Sequence, residues 1–338
     1  MSAMKRLDEK LARIAKGAYR PVDFIIADAK DADMAAGIAA NGPRLDDQGK
    51  PTAMMRPMQV YRDDMIEMCR SDLVDIMLTS QSSCEYLTRE GHFSGSEITP
   101  AVRLNDGSDI WLMRGADYKR LPCQPFRSAR LDRVKPVADL GLYAITFYND
   151  LEKDYRTLEN YARFRDEASS AGVRHFLEVF NPHFDVATPG TDFASYNNDA
   201  IVRTLAGVSS LDRPIFLKMA YNGPRAMEEL ASYDPGNLIV GILGGAFSTT
   251  RDTLEMIKQA ETYGARVALF GRRIFFAESS TAIVRTMRLM LEEGLTSKEA
   301  TKLYYDGLLK AGISPKLDLE QDIELTDPVL KAGLSDAT

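Results

Sequence analysis

Apolar residues gather along this chain in short, nearly unbroken runs, not in strict alternation. Eight such runs stand out, at 22–29, 74–80, 98–104, 143–148, 174–180, 214–220, 238–244 and 266–271. Continuous apolar runs of this length are what parallel strands covered on both faces require. Longer stretches with apolar residues at helical spacing lie between them, most clearly at 150–171, 249–263 and 279–293. Gly172 and Gly264 follow two of these stretches, where a left-handed C-cap is wanted before the next strand. Eight strand–helix repeats predict a closed (β/α)8 barrel of the α/β class. A doubly wound open sheet is the competing architecture. It usually carries a glycine-rich turn after its first strand, and here that turn reads Ala27-Asp28-Ala29-Lys30-Asp31, with no glycine before Gly37.

The pattern predicts one barrel domain spanning 1–338. An N-terminal helix lies within 1–20, over 3–16, and could plug the barrel end opposite the strand C-termini. A C-terminal helix and tail occupy 296–338. Thr296 and Glu299 form a capping-box pair that opens the further helix, running to Leu309. The acidic tail beyond Ser314 reads as extended. Two regions read as irregular: 39–57, a long loop after strand one, and 105–133, which replaces most of a crossover helix and leaves only 134–140 helical. Both follow strand C-termini, the active-site face of a barrel.

Composition narrows the partners. The chain has 338 residues, 45% of them apolar and 27% charged, with a net charge of −7. That acidic balance argues against nucleic-acid backbone binding, which needs a basic face; a phosphorylated small molecule needs only a local cationic pocket. Cys69, Cys84 and Cys123 form no close pair and read as reduced thiols. With no apolar signal region and no run long enough for a bilayer, the chain reads as cytoplasmic and not membrane-bound. His92, His175 and His183 show no metal-ligand spacing. Neither a metal nor an organic cofactor is expected, and a homo-oligomer is.

The chemistry concentrates in 214–276. Lys218 interrupts the apolar run Phe216-Leu217-Lys218-Met219-Ala220. Burying a lysine disfavours its charged form, and only a neutral amine attacks a carbonyl. Against this stands the ordinary reading of a strand-end lysine snorkelling to a surface carboxylate. Gly244-Gly245 and Gly271-Arg272 close two consecutive strands. Barrels often build a phosphate site from these two loops, where glycines let backbone N–H groups approach the anion and an arginine adds charge. Arg273 offers a second cation.

These residues resemble the archaeal-type class I (Schiff-base) fructose-bisphosphate aldolases, a family that also includes a thiolase of quorum-signal breakdown. The resemblance is closest over 214–291. Lys218 with Tyr221 and Gly223 is similar to the family's Schiff-base strand. Gly244-Gly245 and Gly271-Arg272-Arg273-Ile274-Phe275 are similar to its phosphate grip, with Arg273 where asparagine is frequent. Asp28 stands where an aspartate closes the family's first strand, followed here by Ala29-Lys30 instead of His-Gly.

The resemblance implies an aldolase-type lyase of carbohydrate metabolism, with Lys218 forming an imine to a phosphorylated ketose or dicarbonyl. It implies that Asp28 assists proton transfer or binds a hydroxyl, and that Gly244, Gly245, Gly271 and Arg272 hold the phosphate. The family places an acid/base tyrosine on strand five, and this chain has Phe180 there. Glu178, if it faces the barrel, or Tyr148, at the end of strand four, would then carry the proton. Aldol, transaldol and thiolase-like reactions remain alternatives. So do a phosphate-binding isomerase or epimerase without an imine, and a non-enzymatic ligand-binding barrel.

Overall fold

The computed structural model describes residues 5–246 and 248–335. Eight parallel strands close into a barrel: β1 Ile25–Lys30, β2 Ile76–Thr79, β3 Thr99–Arg103, β4 Leu140–Thr146, β5 Arg174–Phe180, β6 Leu217–Met219, β7 Gly241–Leu243 and β8 Val267–Phe270. They follow one another round the barrel in chain order, with β1 hydrogen-bonded to β8. Every strand overlaps one of the eight apolar runs. Every residue of β1, β2 and β4 is buried, as a sheet covered on both sides demands.

The principal helices are α1 Arg6–Ala15, α2 Met58–Ser71, α3 Gln81–Arg89, α4 Leu151–Ala171, α5 Phe193–Ala206, α6 Pro224–Tyr233, α7 Thr250–Thr262, α8 Ser280–Glu292, α9 Ser297–Lys310 and α10 Pro328–Ser335. The caps explain where they begin. Asp150, Thr249 and Ser279 each accept a backbone N–H from three residues on, and Thr296 with Glu299 closes a capping box. Gly172 ends α4 in the left-handed conformation, φ 64° and ψ 34°. Among the described residues no helix is long and apolar enough to cross a membrane.

Four expectations need correction. The stretch 39–57 is not a plain loop: Pro43–Leu45 and Pro51–Met55 pair as an antiparallel hairpin. Its turn is held by Asp46, whose carboxylate accepts the backbone N–H groups of Gln48 and Lys50. The helix expected at 134–140 is a short turn at Leu131–Val134, because Leu140 already belongs to β4. Strand β4 starts three residues before its apolar run suggested. It ends at Thr146 because the Tyr148 N–H turns to the Asp154 carboxylate instead of a neighbouring strand. The acidic tail is partly helical, at Leu319–Asp322 and in α10, since Asp318 caps the first helix and Leu330 is fully buried. Residues 1–4 and 336–338 lie outside the described residues.

The chain forms two compact units. One runs to Asp28 and adds Ser71–Ile76 and everything from Ile215 on. Its charged centre is Asp75, whose carboxylate accepts from Arg6 Nε at 2.8 Å, Lys10 Nζ at 3.1 Å, Arg288 Nη2 at 3.1 Å and the Ile26 N–H at 2.9 Å. Lys10 also donates to the Phe24 carbonyl at 3.0 Å, which fixes α1 to the residue just before β1.

The other unit comprises Ala29–Arg70 and Met77–Pro214. There Tyr143 of β4 stacks on Phe164 of α4 at 4.2 Å, so this side of β4 faces the helix. His175 lies on the same aromatic layer. Its Nε2 is 2.8 Å from the Tyr161 hydroxyl, and its ring sits edge-on to Phe164. Burial, assisted by the Arg165 charge, pushes the His175 imidazole down to about 3. The unfolded imidazole takes its proton near pH 6.5. The neutral ring therefore contributes stability that is present above that pH and is lost as pH falls toward 3. At pH 5.0 the loss is about 2 kcal/mol. His175→Gln is expected to narrow the gap in urea-unfolding free energy between pH 7.5 and pH 5.0 by about that amount. An unchanged gap would mean that this ring is not held neutral.

Candidate active site

In the first unit, Lys218 is the central residue of the three-residue strand β6 and is 5% exposed. A lysine can be sequestered there because its strand neighbours Leu217 and Met219 are buried too. The chain then turns through residues 220–223 into α6. Tyr221 in that turn is buried, and its hydroxyl donates to Gln259 of α7 at 3.0 Å. Gln259 in turn donates to Glu255 and to the Leu330 carbonyl of α10, both at 2.8 Å. The segment that leaves the lysine is thereby anchored to two helices.

Strand β7 lies between β6 and β8, with Met219 level with Ile242 and Leu243 level with Leu269. The turns after β7 and β8 are therefore neighbours. Gly244 has no room for a side chain: a Cβ there would meet the Phe270 ring at 2.8 Å. Gly245 has φ +64°, and a Cβ there would meet no described atom within 4 Å. Gly271 leads directly into the short helix Arg272–Phe275.

The two arginines there divide their tasks. Arg273 is buried, and its Nε donates to the Gly244 carbonyl while Nη1 donates to Ser248 Oγ at 2.8 Å and Thr253 Oγ1 at 3.0 Å. Burial lowers its guanidinium to about 10 against the opposing pull of Asp252 and Asp327. Arg273 thus shapes the glycine turn. Arg272 is exposed, and while its carbonyl accepts the Phe276 N–H at 3.0 Å, its side chain makes no hydrogen bond or ion pair with a described residue, which leaves it open to an anion. Asp28, fully buried on β1, stands level with Phe270 of β8. Strands β7 and β8 separate its strand from that of Lys218.

In the second unit, Glu178 is level with Ala144, one position out of phase with Tyr143, so it points away from α4. It is 1% exposed, with Oε2 3.5 Å from Arg103 Nη1. Arg103 closes β3. Its Nη1 donates to Asp31 at 2.9 Å and its Nε to the Asn105 carbonyl at 2.9 Å. Burial works against this charge, but Asp31 and Glu178 outweigh it and hold the guanidinium above its ordinary value. The Phe180 ring centre lies 6.0 Å from the guanidinium carbon.

Tyr148 belongs to a different network. Its hydroxyl donates to Asp109 at 2.9 Å and accepts the Cys123 N–H at 2.9 Å, while Thr146 also donates to Asp109 at 2.8 Å. Burial first, and the Asp109 charge second, push this phenol well above its ordinary range. Sequence reasoning missed Arg103, Asp31, Asp106 and Asp109. The same signal that marked Lys218, a charge inside an apolar run, was present at Arg103 in Ala101-Val102-Arg103-Leu104.

The fold and these strand-end residues define a closed (β/α)8 barrel with a buried lysine on its sixth strand. No protein-family model and no curated protein matches the sequence. Among solved structures the chain is similar to an archaeal fructose 1,6-bisphosphate aldolase, with 15% identity, a TM-score of 0.60, and 85% of this chain and 99% of that one covered. It is also similar to an archaeal fructose-1,6-bisphosphate aldolase whose catalytic lysine is covalently bound to the carbinolamine intermediate, at 16% identity, TM-score 0.61 and the same coverage. A third is the fructose-bisphosphate aldolase from Slackia heliotrinireducens, at 10% identity and TM-score 0.61, covering 89% of this chain and 90% of that one. At these identities the likeness establishes a shared fold.

Proposed function

We propose that this chain is a class I aldolase-type enzyme in which Lys218 forms an imine with a phosphorylated ketose or dicarbonyl compound. The observation that carries the reading is a buried lysine on β6 in a barrel whose next two strands end in glycine turns, the second opening onto an exposed arginine. Lys218 Nζ attacks the carbonyl, water leaves, and the resulting iminium accepts the electron pair of the Cα–Cβ bond as the β-hydroxyl gives up its proton to a base, leaving an enamine and an aldehyde. Gly244, Gly245, Gly271 and Arg272 hold the phosphate or a similar anion. Asp28 assists with a proton or a hydroxyl.

Glu178 is the preferred acid/base on β5, since Phe180 carries no proton there. Tyr148, whose hydroxyl is committed to Asp109, is the lesser candidate for that role. The reading places the protein in the cytoplasm as a homo-oligomer acting on a small phosphorylated molecule.

The test is intact mass spectrometry after borohydride treatment with a panel of phosphorylated ketones. One reduced adduct per chain, mapped to Lys218, is the expected result. No adduct with any member of the panel would favour imine-free isomerase or epimerase chemistry. The anion grip has its own test. Arg272→Gln removes an exposed cation whose side chain no described residue engages, so stability should change by less than about 0.5 kcal/mol. Inhibition by inorganic phosphate should weaken roughly 10-fold. Unchanged inhibition would move the phosphate site elsewhere.

A further inference from the structure

Within the first unit, the C-terminal segment reaches back to the turn that follows Lys218. That lysine is one residue from the end of β6, and residues 220–223 continue as irregular chain. Three residues past it, the buried Tyr221 donates its hydroxyl to Gln259 Oε1 at 3.0 Å. Gln259 is 5% exposed. Its Nε2 donates to Glu255 and to the Leu330 carbonyl of α10, each at 2.8 Å. Glu255 is fixed in turn by the Ser297 hydroxyl at the start of α9. One amide group thus joins the lysine turn to two C-terminal helices.

Packing converges on the same place. Gly333 of α10 is buried, and a Cβ there would collide with the Gln259 amide, so the close approach of this helix requires glycine. Gly223, the last residue of the turn, has φ +95°, and a Cβ on it would lie 3.7 Å from Val329 Cγ1 at the start of α10. Helix α10 has eight residues, too few to be stable alone in water. The segment before it is strapped to α7: Asp252 accepts the Thr326 N–H at 2.8 Å together with the Thr326 hydroxyl, and Asp327 accepts the Val329 N–H at 2.9 Å.

We propose that docking of α10 on Gln259 positions Lys218 for attack on the carbonyl, which makes Tyr221, Gln259 and Gly333 positioning residues of the lysine site. The proposal rests on the imine reading in taking Lys218 as the nucleophile. An attacking amine has to stand roughly 3–3.5 Å from the carbonyl carbon, and a displacement of about 1 Å costs on the order of 100-fold in rate. Tyr221 ties down the chain that leaves the nucleophile. Burial first, then Tyr263 and Glu255, push its phenol well up, so it stays a donor through the neutral range. The glycine turn has a separate frame, the bonds of Arg273 to Gly244, Ser248 and Thr253. Loosening the lysine turn therefore slows attack without weakening the grip on the anion.

The experiment follows borohydride trapping by the full-length enzyme over time, read by intact mass. The probes are dihydroxyacetone phosphate, ribulose 5-phosphate and fructose 1,6-bisphosphate, and rates are compared with the fastest of them. Tyr221→Phe removes one hydroxyl, and Gly333→Ala pushes α10 off Gln259. Each should lower the maximal trapping rate by roughly 10-fold, leave the half-saturating ketone concentration within about 2-fold, and still reach one adduct per chain. Because both act through Gln259, the double variant should be slower than the slower single variant by no more than about 2-fold.

An unchanged maximal rate in either single variant overturns the proposal, even with a lowered melting temperature, since the link is then structural only. Losses that multiply in the double variant overturn it too, as does a raised half-saturating concentration at unchanged rate. If Gly333→Ala does not fold, Tyr221→Phe decides alone. The imine reading fails by a different result, the absence of an adduct with all three ketones in the unmutated enzyme, and the proposal falls with it.

Discussion

Lys218→Met abolishes the borohydride-trapped adduct and lowers turnover of any ketone the enzyme cleaves by roughly 10³-fold or more, because removal of a covalent nucleophile leaves only binding and electrostatic assistance. Methionine is close to lysine in length and volume, and the site is 5% exposed between Leu217 and Met219. The substitution exchanges an amine-bearing chain for an apolar one of similar shape in a buried strand and should leave the fold intact. The measurement pairs intact mass after reduction with thermal unfolding. An adduct that persists in Lys218→Met assigns the nucleophile to another lysine. A lost adduct together with a collapsed melting transition would say only that the strand had been broken, so Lys218→Arg is the companion variant. Its guanidinium keeps a nitrogen donor on the strand but cannot form an imine, and it should be equally inert.

The barrel was legible because its strands are buried on both faces. With no alternation to disguise them, Val267–Phe270 and Ile76–Thr79 appear in the sequence as plain apolar runs. Strand ends were less legible where local polar groups intervene, as at Tyr148, whose N–H is taken by Asp154. Composition misled in two places. Pro43, Gly49 and Pro51 flank and turn a hairpin instead of dissolving the structure, and Asp318 is a helix cap although it lies in an acidic tail. Lys218 and the paired glycines could be found because each is locally anomalous. Arg103 could be seen as a charge in an apolar run. Its meaning could not, because its partner Asp31 lies 72 residues away and only the closed sheet brings the two together. Burial of Glu178 on the side of β5 away from α4 follows from register with β4, which the sequence of β5 alone does not contain.

Asp75→Asn should be the most destabilising conservative substitution in the first unit. The carboxylate is fully buried and answers three cations, Arg6, Lys10 and Arg288, while also accepting the Ile26 N–H at the start of β1. Burial alone would raise its pKa. Arg288, Lys10 and the Ile26 amide outweigh that and hold the carboxyl below its ordinary value. Removing the charge leaves Lys10, which is 3% exposed and already lowered to about 8 by burial, without its counter-ion. Breaking one side of a buried ion pair typically costs about 3–5 kcal/mol. Because the folded pKa of Asp75 is depressed, its contribution is present above the unfolded carboxylate value of roughly 3.9 and fades as pH falls through the lower folded value. Urea unfolding at pH 7 should therefore show the full deficit in Asp75→Asn, and the deficit should shrink only below about pH 4. A deficit under about 1 kcal/mol at pH 7 would mean that α1 and α8 are held to the strands by packing alone, with the ion cluster adding nothing.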